Sequence, residues 1–256
     1  MIDTPLDGLI LLLFGVLTGT LSGILGIGGG LLLVPALILS GVSATVQATA
    51  TSLIGVFLSA TSGSVRNWQA GALNWRVSLT LAAFGIITAQ VGALLGDRLP
   101  DVTLSLGFAA LLLVTIYLMS LRKRLRQSTD QPESAPQYAL LPTAGIGLLA
   151  GLLSGLFGVG GGVVMVPLQT LILGEPIKAA VRNSLGAIVL IAASGLVRHA
   201  LQANVLWIPG LCLGIGGIVG AQYGARLLPK LPERTVSLAF RALLLAMSVY
   251  MVVRTL

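Results

Sequence analysis

Charge is scarce in this chain: of 256 residues only 9% are Asp, Glu, Lys or Arg, while 55% are apolar and the mean hydropathy is +0.99. A water-facing surface ordinarily carries charge on about a quarter of its residues, so a soluble fold is excluded. Cysteine occurs once, at Cys212, which rules out an internal disulfide and any multi-thiolate metal or cluster site. Histidine also occurs once, at His199, leaving little for an imidazole-based metal centre. No metal or cofactor is therefore expected. Acidic residues number only eight against fifteen Lys and Arg, a balance of +7. In so apolar a chain the excess points to membrane topology, because basic residues collect in cytoplasmic loops, and a nucleic-acid partner is set aside.

What the sequence has instead is long apolar runs. No charged residue falls between Asp7 and Arg66. As helix this stretch would extend about 87 Å, roughly three bilayer crossings. Its punctuation divides it into a span over 8–25, a glycine break over 26–30, a short segment over 31–40 and a full span over 44–65. Two further uncharged stretches, 77–96 and 102–121, complete a first membrane unit assigned to 8–122. Arg122, Lys123, Arg124 and Arg126 then lead into a polar, Pro-containing linker, 123–138, and a second membrane unit occupies 139–256. The N-terminal MIDTPLD lacks the basic region of a secretory signal, so the first apolar segment is expected to be retained. Trp68, Trp75, Trp207, Tyr117 and Tyr250 fall near span ends, where aromatic rings favour the headgroup region.

The two units are copies. Sliding the sequence on itself lays 15–110 on 147–242 without a gap, with 39 of 96 positions identical. The matches include Pro35 on Pro167, Arg66 on Arg198, Trp75 on Trp207 and Gln90 on Gln222, which Leu/Ala/Gly bias does not generate. If the short 31–40 segment crosses the bilayer, each unit has five crossings and the copies are inverted; if it only re-enters, four crossings make them parallel. With the Arg122–Arg126 cluster placed inside, the inverted arrangement puts ten of thirteen arbitrating basic residues on the inner side and the parallel one eight. The inverted arrangement is preferred. The expected fold is an all-α polytopic membrane protein of two inverted repeats with discontinuous Gly-rich helices and eight to ten transmembrane segments.

The most specific local feature is the glycine run, Gly26 to Gly30 and Gly158 to Gly162, followed by Pro35 and Pro167. Each glycine in a helix interior costs about 1 kcal/mol relative to alanine, so a helix break is expected at both copies. Unwound backbone at membrane depth is tolerated where it lines a polar cavity, and the N–H groups of a following half-helix can face an anion. Tight packing through small residues is the competing explanation, although packing does not ask for three consecutive glycines. A dinucleotide-binding reading fails, because GxGxxG needs a preceding strand in a βαβ unit.

Two copies of G-[IV]-G-G-G-x-x-x-V-P, with Thr51-Ser52-Leu53 and Asn183-Ser184-Leu185 later and Gln-x-Gly-Ala beyond, resemble the TauE/SafE sulfite-exporter family over about residues 8–250. The resemblance implies a permease of the bacterial inner membrane for sulfite, sulfonates or related small anions. It identifies the family well and the substrate poorly.

The candidate substrate-binding residues are Gly28, Gly29, Gly30, Thr51, Ser52, Arg66, Gln90, Gly160, Gly161, Gly162, Arg182, Asn183, Ser184, Arg198 and Gln222. Polar residues this deep usually form interhelical hydrogen bonds of about 0.6 kcal/mol, which is the alternative role for each. Pairing across the repeat strengthens the collective case, since two copies about a pseudo-two-fold axis converge at the midplane. Arg66 and Arg198 are natural partners of an oxyanion, against snorkelling from a helix end. Arg182 has Ala50 as its repeat partner, so one half would carry more of the anion charge. Arg241, in place of Ala109, is expected to snorkel or meet a carboxylate. All eight acidic residues sit at span ends or in loops, so the usual intramembrane proton relay is missing, and His199 reads as an interfacial histidine rather than a proton carrier.

The function expected is secondary transport of a small anion, with the lipid bilayer as the other partner and the oligomeric state open, a homodimer included. A passive channel and a non-transporting membrane subunit are the alternatives. An intramembrane enzyme lacks support: no HExxH, no paired intramembrane Asp and no Ser with a mid-membrane His or Lys partner occurs.

Overall fold

The computed structural model describes residues 5–42, 45–127 and 139–255, and these form ten α-helices and one 3-10 turn, with no strand among the described residues. The first unit contributes α1 (Pro5–Leu25), α2 (Gly30–Leu39), α3 (Thr45–Gln69), α4 (Trp75–Gly96) and α5 (Asp101–Gln127). The second contributes α6 (Leu140–Phe157), α7 (Gly162–Ile172), α8 (Ile177–Leu201), α9 (Trp207–Leu227) and α10 (Glu233–Thr255). Eight of them are long and apolar enough to cross a membrane; α2 and α7 are the two short ones. Of the expected linker, 123–127 continue α5 and 128–138 lie outside the described residues.

Local chemistry sets the ends. Asn74 caps α4, its side-chain oxygen accepting from the N–H groups of Arg76 (3.1 Å) and Val77 (3.4 Å). Pro142 and Pro209 occupy the first turns of α6 and α9, where a missing N–H is harmless. The breaks fall at the glycines alone. Helices α2 and α7 run through Pro35 and Pro167.

Side-chain contacts fix the directions of the helices. Gly15, Gly19 and Gly23 of α1 meet Leu213, Gly217 and Ala221 of α9 in the same order, so these helices run parallel. Helix α3 is parallel to α9 as well, Ile54 touching Gly210 and Ser62 bonding to the Ile218 carbonyl. The same relations at the repeat offset hold α6 and α8 parallel to α4: Gly147, Gly151 and Gly155 meet Leu81, Gly85 and Ala89, and Ile191 meets Gly85. Helices α3 and α8, in contrast, are antiparallel, Leu53 lying against Gly195 and Leu185 against Gly63. The result is two tightly packed bundles, α1–α3–α9 and α4–α6–α8, each drawing helices from both halves of the sequence. Because α1 and α3 run the same way, the chain must return between them. The return consists of the glycine break and the short α2. At the rise of a helix, α2 covers about 15 Å, roughly half a hydrocarbon core.

Candidate substrate site at the glycine breaks

Both breaks are buried at the centre of the molecule, between Val56 of α3 and Ile188 of α8. The chain turns on left-handed residues that favour glycine: Gly28 and Gly29 have φ of 75° and 86°, Gly160 and Gly161 both 75°. At Gly30 and Gly162 the constraint is proximity. A side-chain carbon there would collide with the Gly158 and Gly26 carbonyls respectively, so each break is pressed onto the other.

These turns open α2 and α7 with Gly29 and Gly161 as N-caps, which offer no side-chain hydrogen bond. The first N–H groups of any helix have no partner within it, and a buried helix start without a cap leaves those donors to be satisfied otherwise. Together with the helix dipole they make a site for negative charge. The first backbone bonds at the two starts run from Leu32 and Leu33 to the Gly29 carbonyl and from Val164 and Met165 to that of Gly161.

Around this centre the polar residues sort into two groups. Ser52 donates to the Gly158 carbonyl (3.0 Å) and Ser184 to the Gly26 carbonyl (2.9 Å), so each half holds the other's break. Gln90 and Gln222 lie farther out, donating to the carbonyls of Ser194 (2.8 Å) and Ser62 (3.0 Å). Thr51 and Asn183 face away from the breaks, accepting the N–H groups of Leu206 (3.0 Å) and Asn74 (3.0 Å) at the entries to α9 and α4. Asn183 also donates to buried Glu175 (3.0 Å). Glu175, between α7 and α8, has its carboxyl pushed above the usual carboxylate range by burial, which the Asn183 hydrogen bond partly opposes.

The arginines stand apart from the centre. Arg66 and Arg198 occupy the last turns of α3 and α8, well beyond Val56 and Ile188. At the helical rise per residue that separation is about 15 Å along each axis. Arg182 is nearer, roughly 9 Å before Ile188 on the same rise, and its neighbour Val181 forms part of the wall against Gly26. Its half-buried side chain leaves Nε without a partner among the described residues. Arg241 meets no carboxylate among the described residues: its guanidinium donates to the Met119 carbonyl (2.7 Å), joining α10 to α5. His199, in the last turn of α8, is buried at 1% exposure. Its Nδ1 lies 4.0 Å from the Asp97 carboxylate and its Nε2 3.5 Å from the Gly155 carbonyl, with Asn204 donating to Asp97 (3.1 Å).

Sequence reasoning passed over Ser22 and Ser154. They are fully buried one turn before the breaks, at 0% and 1% exposure, and their hydroxyls have no partner among the described residues. The available signal was their identity at the repeat offset within L-S-G.

A family model described as sulfite exporter TauE/SafE matches residues 11–251. This chain belongs to the TauE/SafE family. Its relatives share that breadth of match: YunE of Bacillus subtilis (strain 168), a probable membrane transporter protein, is 27% identical with 92% of this chain and 94% of the relative aligned. A probable membrane transporter protein of Haemophilus influenzae is 29% identical over 95% and 97%, and one of Xylella fastidiosa (strain Temecula1) is 28% identical over 94% and 93%. No solved structure matches. As a TauE/SafE protein the chain is a multi-pass membrane transporter, and the paired breaks are the feature on which its transport site can be sought.

Proposed function

We propose that this transporter is a secondary carrier of a small anion, with sulfite or an organosulfonate as the leading substrate class, in the inner cell membrane. The observation that carries the reading is the pair of buried, uncapped helix starts at Gly29 and Gly161. Each offers a set of N–H donors and a dipole end equivalent to roughly half a positive charge, in buried surroundings. The glycines, Ser52 and Ser184 shape the site. Gln90, Gln222, Thr51 and Asn183 support it, and Arg182, Arg66 and Arg198 draw the anion along the route.

The antiparallel course of α3 and α8 favours the inverted relation between the halves, with α2 and α7 as the return passes. The linker at 123–138 is then cytoplasmic, on the same side as Arg66, Arg76, Lys178 and Arg182. Alternating access follows from one bundle rocking against the other across the α3–α8 contact. The inside-negative potential favours outward movement of negative charge, and the placement of all eight acidic residues at span ends or in loops argues against a carboxylate relay through the spans.

The test is flux through the purified chain in proteoliposomes with a panel of sulfite, thiosulfate, sulfonates and carboxylates. Saturable flux with counterflow is expected, following the membrane potential and indifferent to a pH gradient at clamped potential. Flux proportional to concentration without counterflow identifies a channel, and no flux of any anion a non-transporting subunit.

A further inference from the structure

Ser22 and Ser154 are the least satisfied polar side chains near the breaks. Each hydroxyl is buried with no hydrogen-bond partner among the described residues, although a serine in a helix can usually reach a carbonyl of the preceding turn, as Thr18 and Thr20 do in the same helix as Ser22. A buried hydroxyl without a partner costs about 1–3 kcal/mol. That both copies tolerate this at the same repeat position calls for a partner absent from the resting chain. The surroundings say of what kind. A side-chain carbon on Gly29 would lie 3.8 Å from Ser22 Cβ and 3.6 Å from the Thr18 carbonyl, so Ser22 packs directly against the uncapped start of α2. Gly161 meets the Ala150 carbonyl in the equivalent place, with Ser154 one turn farther along α6 and its own carbonyl accepting the Gly158 N–H (2.8 Å).

The geometry points to two anion subsites, one in each half, in which the Ser22 hydroxyl completes the donor set of the α2 start and the Ser154 hydroxyl that of the α7 start. The ligand class is a small oxyanion, whose several acceptor oxygens can take a hydroxyl and two or three N–H groups at once. Helices α1 and α6 descend from opposite directions, so the two subsites open to opposite sides of the central contact and the anion passes from one to the other. This inference rests on the proposed anion transport and adds to it the residues that hold the substrate.

The experiment compares Ser22→Ala and Ser154→Ala with the unmodified chain, reading thermal stability in detergent and sulfite flux in proteoliposomes. Each variant is expected to keep or raise the melting temperature, because an unsatisfied hydroxyl is removed, while the half-saturating sulfite concentration rises about five- to tenfold. A merely structural serine gives the opposite pairing, lower stability with unchanged half-saturation, and that result overturns the inference. A second measurement does not depend on the alanine variants folding. Ser22→Cys or Ser154→Cys in a Cys212→Ser background is labelled with an anionic thiosulfonate reagent, and methanesulfonate, which unlike sulfite attacks neither the reagent nor the mixed disulfide, is expected to slow labelling at both positions. Labelling indifferent to methanesulfonate overturns the inference even where the carrier transports normally; absence of flux for every anion in the unmodified chain overturns the transport reading and the subsites with it.

Discussion

At the scale of single residues, the polar side chains of this transporter separate into those whose hydrogen bonds are spent on architecture and those left open. Thr51 and Asn183 belong to the first kind, each fixing the loop that enters a helix of the other half. Replacing Asn183 with Ala removes the acceptor of the Asn74 N–H and one hydrogen bond to the Glu175 carboxyl. A loss of about 1–3 kcal/mol is expected, read as a lower melting temperature. Glu175 itself gives a pH signature. Its folded pKa is raised by burial, so the neutral acid is the form the fold prefers. Its contribution to stability is fully present below the ordinary carboxylate range and is lost as pH rises through the raised value. Glu175→Gln should remove that loss, leaving the variant less sensitive than the unmodified chain to a rise from acid to neutral pH in a melting series. Ser22 and Ser154 escaped sequence reasoning because a serine in an apolar span looks the same whether its hydroxyl is bonded or idle, and only the fold distinguishes them.

At the scale of helices, the sequence was readable wherever one physical rule acted alone. Charge-free runs gave the four long spans of the first unit, the repeat extended the pattern to the second, and the glycines gave both breaks, with ends displaced by a few residues: α3 extends to Gln69 past Arg66, and α1 begins at Pro5. The proline positions in α2 and α7 were less informative. A proline removes one N–H and crowds one carbonyl, which a helix packed inside protein absorbs. The glycines themselves are unequal, and substitution should show it. Gly30→Ala forces a carbon against the Gly158 backbone, which cannot move without its own break. A loss of about 1–3 kcal/mol together with most of the flux is expected. Gly145, in α6, has nothing within 4 Å of where a side-chain carbon would lie. Gly145→Ala should leave flux unchanged and stabilise by up to about 1 kcal/mol, measured by the same melting assay.

At the scale of the whole molecule, the halves of the sequence are not the bodies of the fold. The bundles α1–α3–α9 and α4–α6–α8 each take their third helix from the opposite half, a partnership that no inspection of hydropathy reveals, because it depends on which glycine stripes face one another. Cross-linking tests which bodies move. In a Cys212→Ser background, Leu53→Cys with Gly195→Cys joins α3 to α8 across the bundles, whereas Leu58→Cys with Gly214→Cys joins α3 to α9 within one. Oxidation is expected to stop flux in the first pair and restore it on reduction, and to leave the second pair active.

The reciprocal bonds, Ser52 to Gly158 with Ser184 to Gly26 and Gln90 to Ser194 with Gln222 to Ser62, carry a further consequence under the proposed inverted relation. Exchanging the conformations of the two halves would turn a state open to one side into its mirror counterpart open to the other, and every interaction made by identical pairs would cancel from the difference between them. The resting preference for one orientation is then written solely in the unmatched positions. Arg182 against Ala50, Asn183 with Glu175 against Thr51, and His199 with Asp97 against Asn67 and Pro229 are where evolution can tilt an otherwise balanced gate without touching the site it guards.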